Sequence, residues 1–573
     1  MSIVSLAGDS KSSATLDVLH DVAAKNNVTI TSPTSQEAYL AVLQAADVTA
    51  QAVQDLPDYI DPRLIPVPTI NGAASTSQSD AAQTRQYHKP DPSTNTHNAW
   101  RLITELRATN PTSRLLEGKT IAVKDNMSVG GIPYTCGMFT DTMASAVNGE
   151  YPISSIDSSV AKRVLEAGGT ITGITTCENY SLTPLSYTSA NGAVHNPYLR
   201  NFNTGGSTSG GACALSLRAA RERGVTGLEN AGPDVDMQIG GDQAGSIRMP
   251  SSFTGVYGLK QRMDWCRPMA QNVDDVALLL TALAGYDGLD GRQGAECPLR
   301  ENVLQYHEEL AKFAEGKDKS QVGKGMKVGI ITESLSIPGT VPEVARVVED
   351  AAMKHFAAAG AQVERVSVPM HLLGPAIWTA ASRNHMASLT AQGKVPDILT
   401  HNLPHFAPKW PLDQEMFELL SRYNPAVINI IFSQTFLTEK YGPEVQGKAH
   451  RHVFQLRAAY DKALEEYDIL VTPTGVSVAP PHPDLRKEEE GGSSVMDKMK
   501  LAVGSTNNTC PFNATGHPGL SVPCGWGMSE GGRGWLPVGM QIIGKRWKDL
   551  DVLKAAKVFE AGGGGLGKWP GPV

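Results

Sequence analysis

Residues 204–215 read TGGSTSGGACAL, and residues 239–260 read IGGDQAGSIRMPSSFTGVYGLK. Both are loops rich in glycine and serine. Pairs such as Gly205-Gly206 and Gly240-Gly241 mark places where a backbone turns tightly or approaches something closely. One such loop is usually just a loop. Two in tandem, with IAVKDN (121–126) upstream, are far more specific.

A serine hydroxyl is a weak nucleophile and needs a base within hydrogen-bond reach. Neither loop contains histidine, which leaves a lysine as the natural candidate. Lys124 follows the apolar run Ile121-Ala122-Val123, a setting that favours burial. A free lysine, with a pKa of about 10.4, is protonated at neutral pH, and lowering it by about three units costs roughly 4 kcal/mol. Apolar walls and hydrogen bonds to the neutral amine can supply that shift. The bland alternative is a surface lysine with its stem packed.

Other schemes fit poorly. A GxSxG elbow needs glycine two residues to either side of the serine, but Ala244 precedes Ser246 at that distance and Ser209 follows Ser207. No GxxxxGK[ST] phosphate cradle and no HExxH zinc motif is present. His450 and His452 read as a solvated helix pair, so no metal and no cofactor is expected.

Composition bounds the rest. The chain has 573 residues, 41% apolar and 19% charged, as in an ordinary globular protein of two or three lobes. A net charge of −8 and the lack of a basic patch argue against nucleic acid as a partner. The seven cysteines are scattered, with no CxxC pair, which fits reduced thiols in a cytosolic protein; Cys136 and Cys177 read as small packed thiols. Neither a secretory signal nor an apolar run of membrane-spanning length is found. The expected setting is cytoplasmic, without membrane contact, and a homodimer is the default oligomer.

Helix-period apolar residues over 14–25 and 36–55 predict a helical N-terminal region. Residues 72–97, rich in Ser, Thr, Ala and Asn, read as a linker or long surface loop, which places a domain boundary at 97/98. From Trp100 onward strands and helices alternate: strands at 119–126, 170–177, 326–332 and 361–369, helices at 158–169 and 341–360, then a mostly helical covering stretch at 375–465. Late strands follow at 467–474 and 536–544, and a helix closes the chain. This alternation predicts an α/β fold.

Taken together, GKTIAVKDNMSVGGIPYTCG, AGGTITGITTCENYSL, the two serine loops, NNTCPFNATGHPGLSVPCG and LPVGMQIIG resemble the amidase signature enzymes over about residues 115–560. The GGDQ–GSIR loop and the helical N-terminal region are most similar to the bacterial and fungal enantioselective or broad-specificity amidases. The resemblance implies a mixed central sheet with helices on both faces. It also implies hydrolysis of a small-molecule carboxamide through an acyl-enzyme. In that reading Lys124 is the base, Ser207 is the bridging serine on a cis peptide bond, and Ser246 is the nucleophile. The backbone N–H groups of Gln243, Ala244, Gly245 and Ser246 form the oxyanion hole. Asp242 and Arg248 brace the loop as a buried pair, and Thr208 and Ser209 are supporting hydroxyls. The substrate walls are expected from 130–140, 180–195 and 375–440.

Two features depart from the family pattern. Ser207 and Ser246 are unusually far apart, the surplus lying in LSLRAARERGVTGLENAGP (215–233), which is expected to bulge outward as a surface loop. After Lys260 the chain is shortened, which is expected to leave core surface uncovered. Two alternative functions follow: the glutaminase component of a tRNA amidotransferase, or a binding protein that keeps the fold without catalysis.

Overall fold

Side-chain alternation along the strand Thr120–Lys124 sets the two faces of the central sheet. Ile121 and Val123 enter one apolar cluster, with helices Ser159–Glu166 and Val273–Leu283, while Ala122 enters a second, with helix Ser209–Glu222. Helices therefore cover both faces. A computed structural model describes residues 12–70, 85–261, 266–289, 293, 296–395, 402–403 and 405–573.

The described strands are β1 (Tyr87–His88), β2 (Trp100–Leu106), β3 (Thr120–Lys124), β4 (Thr170–Thr175), β5 (Met237–Gly241), β6 (Tyr257–Lys260), β7 (Cys266–Ala270), β8 (Lys327–Ile331), β9 (Gln362–Val366), β10 (Ile469–Pro473), β11 (Gly519–Met528) and β12 (Trp535–Gly544). They form one mixed sheet in the order β1-β2-β4-β3-β5-β7-β6-β11-β12-β10-β8-β9. β3 lies between β4 and β5 and runs parallel to both, with Lys124 opposite Thr175 and Val123 opposite Ile239. The far end is built around β10, parallel to β8 and antiparallel to β12. There Leu470, Ile331 and Ile543 pack under helix Glu444–Glu466 through Leu456, Tyr460 and Leu464. This helix, with Gly374–Met386, Gln414–Tyr423 and Pro425–Tyr441, makes up the expected helical stretch.

The chain divides into two compact units, one ending at Pro62 and one running from Arg63 to Val573. The smaller contains helices Leu16–Lys25, capped by Thr15, and Pro33–Gln54, capped by Ser32 with proline in its first turn. The boundary expected at 97/98 falls inside the larger unit. Residues 72–84 of the expected linker lie outside the described residues. The remainder is not a free loop: β1 pairs with β2, and Arg85 makes a buried bidentate bond to Asp157, at 2.6 and 2.9 Å.

The surplus segment does not bulge outward. Residues 215–222 complete helix Ser209–Glu222, burying Leu215, Leu217, Ala219 and Ala220. The return loop packs Val225, Leu228, Ala231 and Val235 against Trp100, whose indole N–H donates to the Pro233 carbonyl at 3.2 Å. Its apolar residues recur often enough to hold it on the core. The shortening after Lys260 likewise exposes nothing at its described edges. β6 and β7 pair directly, and Leu259, Met269, Ala270 and Val273 are buried.

Candidate active site

Because β3, β4 and β5 run parallel, their carboxyl ends share one edge of the sheet, where loops of an α/β fold gather functional groups. Lys124 ends β3 on the face that carries Ala122 and is fully buried. Ser207 stands just before helix Ser209–Glu222, on a cis peptide bond from Gly206. Gly206 has no room for a side chain, since a Cβ there would lie 2.1 Å from the Leu185 carbonyl oxygen. Ser246 lies in the loop between β5 and helix Arg248–Thr254 and is half-buried.

These three side chains form one hydrogen-bonded chain. Lys124 Nζ lies 2.8 Å from Ser207 Oγ, and Ser207 Oγ lies 3.1 Å from Ser246 Oγ. Lys124 Nζ has a second hydroxyl neighbour, Ser181 Oγ at 3.0 Å, which is itself 3.1 Å from Ser207 Oγ and accepts from Asn126 Nδ2 at 3.0 Å.

The Ser246 loop is braced from beneath. Arg248 donates to both carboxylate oxygens of Asp242, at 2.8 and 2.9 Å, and both residues are fully buried. Burial raises the Asp242 carboxyl, but the Arg248 and Arg267 guanidiniums and the Asn513 amide more than offset this, holding it well below the ordinary carboxylate range. The same carboxylate accepts from the amides of Ile247 and Arg248 at 3.3 Å. Thr509 Oγ1 donates to the Ala244 carbonyl at 2.6 Å. Gly245 has φ +146°, and a Cβ there would lie 2.5 Å from Thr509 Oγ1, so the loop requires glycine at that position. The Gln243 side chain is exposed, Ala244 is half-buried and Gly245 is buried.

The Ser207 turn is held from the other side by Glu178. Its carboxylate accepts from Ser209 Oγ at 2.6 Å and from the Thr188 amide and hydroxyl, each at 2.7 Å, while its own amide donates to the Ser207 carbonyl at 3.2 Å. Burial pushes the Glu178 carboxyl up to about 7, against the pull of those donors and of Lys124. Thr208 differs from Ser209: its hydroxyl is buried with no hydrogen-bond partner among the described residues.

The structure thus brings Lys124, Ser207 and Ser246 together, with Asp242, Arg248 and Ser209 in bracing contacts. Sequence reasoning missed Asn126, Glu178, Ser181 and Thr509. All four lie within the motifs quoted above, but motif and spacing carry no sign of which hydroxyl or carboxylate meets which. Cys136 and Cys177 are buried free thiols. Among the described residues no cluster of His, Cys, Asp and Glu could hold a metal ion, and no helix is long and apolar enough to cross a membrane.

A model of the amidase family matches residues 74–553. An enantioselective amidase of Rhodococcus rhodochrous is 29% identical over 515 residues, covering 85% of this chain and 87% of that protein. A glutamyl-tRNA(Gln) amidotransferase subunit of Methanosarcina mazei is 28% identical over 460 residues, covering 78% and 84%. Among solved structures, a bacterial aryl acylamidase of the amidase signature enzymes shares the fold, with a TM-score of 0.56 at 20% identity over 78% of this chain and 83% of that one.

Proposed function

The chain belongs to the amidase family, and from that premise we propose that it hydrolyses a carboxamide to a carboxylic acid and ammonia or an amine, with Ser246 as nucleophile, Ser207 as proton bridge and Lys124 as base. The observation that carries this reading is the unbroken run of contacts from Lys124 Nζ through Ser207 Oγ to Ser246 Oγ, at 2.8 and 3.1 Å. Ser246 Oγ bonds to the amide carbon as its proton passes to Ser207, whose own proton passes to Lys124. The carbonyl oxygen becomes an oxyanion held by the amides of Gln243, Ala244, Gly245 and Ser246; one such donor is typically worth about 3–4 kcal/mol. The carbon–nitrogen bond then breaks and the leaving nitrogen takes the proton back. Water repeats the sequence on the acyl-enzyme, releasing the acid and freeing Ser246.

The surroundings favour an uncharged acyl group. Tyr134, Cys136 and Met138, Tyr180, and Leu420, Val427 and Ile428 come from the three segments expected to supply substrate walls, and they pack as one apolar cluster. Tyr180 immediately precedes Ser181, which touches Lys124. In this reading the chain is a stand-alone cytoplasmic enzyme and a homodimer, the latter tested by light scattering after gel filtration.

The test is ammonia release by the purified chain from a panel of neutral aliphatic and aromatic amides, beside Ser246→Ala. Turnover by the wild type and none by the variant is the expected result. The similarity to the glutamyl-tRNA(Gln) amidotransferase component supports the second reading. Release of ammonia from glutamine only when partner proteins are added would establish that reading in place of the first.

A further inference from the structure

Tyr180 and Ser181 are consecutive non-glycine residues in the left-handed region, at φ 56° and 55°, where side-chain-bearing residues are uncommon and bulky ones rarer still. Such a conformation persists only where its surroundings over-determine it, and it is informative about function when it aims a side chain at a site. Here the surroundings are visible. The Ser181 amide donates to the Glu178 carbonyl at 2.7 Å, and the Leu182 amide to the Asn179 carbonyl at 3.2 Å. Asn179 is gripped by Thr188 Oγ1 at 3.2 Å and by Asn424 Nδ2 at 3.1 Å. The Tyr180 ring is buried among Tyr134, Met138 and Leu420. The turn delivers the Ser181 hydroxyl to a point 3.0 Å from Lys124 Nζ and 3.1 Å from Ser207 Oγ.

We propose that Ser181 is a positioning residue for the lysine base, closing a three-membered hydrogen-bond ring with Lys124 and Ser207. The proposal rests on the Ser–Ser–Lys reading above and follows from counting hydrogens and lone pairs. A hydroxyl has one hydrogen to give and two lone pairs; an uncharged amine has two hydrogens and one lone pair. Ser181 Oγ accepts from Asn126 Nδ2, which leaves it one lone pair and its own hydrogen. The remaining lone pair takes a Lys124 N–H, and its hydrogen goes to Ser207 Oγ. The Lys124 lone pair then faces the Ser207 hydrogen at 2.8 Å, the shorter of the two lysine contacts. Ser207 keeps one lone pair for the incoming Ser246 hydrogen, and the ring runs in the direction the reaction needs, with the second Lys124 hydrogen left outside it. When Lys124 takes the proton and becomes an ammonium, Ser181 still accepts from it. Without that acceptor, a buried N–H would be left unsatisfied as the charge develops.

Two substitutions separate this role from folding. Ser181→Gly removes the hydroxyl and suits φ 55° better than serine does, so the fold is retained or strengthened. Ser181→Ala removes the hydroxyl and keeps the backbone restraint. Both should lower kcat by about ten- to a hundredfold with KM within about twofold, and slow labelling by a fluorophosphonate in parallel. The melting temperature of the glycine variant should not fall. Wild-type kcat and labelling rate in Ser181→Gly would overturn the proposal while leaving the triad standing. Unchanged labelling of Lys124→Met would overturn both, because the ring would then have no base to position.

Discussion

Glu178 is a carboxylic acid whose proton is governed by where the fold puts it. Burial lifts its pKa from 4.5 to about 7, so in the folded chain it holds its proton over a range where the unfolded chain has released it. Its contribution to stability is therefore complete below about pH 4.5 and is lost as the pH climbs through about 7. Glu178→Gln removes that dependence. Relative to the variant, the wild type should lose about 3 kcal/mol of stability between pH 4.5 and 8, read from urea unfolding at both values. A constant difference across that range would contradict the burial argument. The Asp242–Arg248 pair behaves oppositely. Asp242→Asn leaves the Arg248 and Arg267 guanidiniums in the interior without their carboxylate, at a cost of about 3–5 kcal/mol in the same assay at neutral pH. Lys124, Ser207 and Ser246 could be singled out in the chain because their three motifs occur together and, together, resemble one family. Ser181 and Asn126 could not: their roles exist only because the β4 end folds back beside the β3 end, and nothing in the letters NYS announces two left-handed residues in a row.

At the scale of elements, the loop from β5 into helix Arg248–Thr254 is the part most sensitive to backbone shape. Gly245→Ala sets a Cβ against Thr509 Oγ1 at a φ of +146°, a region essentially closed to alanine. Fluorophosphonate labelling should slow by at least about tenfold, and unchanged labelling would show that the loop tolerates a different path. The return segment after helix Ser209–Glu222 gives a second test. If it is part of the core, as the burial of Leu228 shows, Leu228→Ala costs about 2–5 kcal/mol in thermal or urea unfolding; a surface bulge would lose almost nothing. The longer helices and half of the described strands, β3, β4, β8, β9, β10 and β12, were legible here because their apolar periods are regular. β11 was not, because Gly519, Pro523, Gly525 and Gly527 interrupt the pattern of a strand that is paired on both sides and bulged between Pro523 and Gly525. β1 was hidden for a related reason: two residues, Tyr87 and His88, on an edge leave no period to detect.

Across the whole molecule, chain order and spatial order diverge, and this makes the site possible. Residues 124, 181, 207 and 246 are spread over a long stretch of sequence, yet β4, β3 and β5 are neighbours in that order and point the same way, so the segments that follow them converge at one edge. The α/β class followed from the alternation of periods. The order of strands did not, because it depends on which edges find partners after the chain has turned. Membership of the amidase family fixes the chemistry as amide hydrolysis in general terms; the proposed mechanism goes further, with Ser246 as the residue that attacks, driven by Lys124 through Ser207. Incubation of the full chain with a fluorophosphonate, followed by digestion and peptide mass spectrometry, identifies the attacking residue. A single phosphonylated serine, Ser246, is expected, with labelling abolished in Lys124→Met and in Ser246→Ala; an adduct on another residue, or undiminished labelling of Ser246 in Lys124→Met, would refute the mechanism.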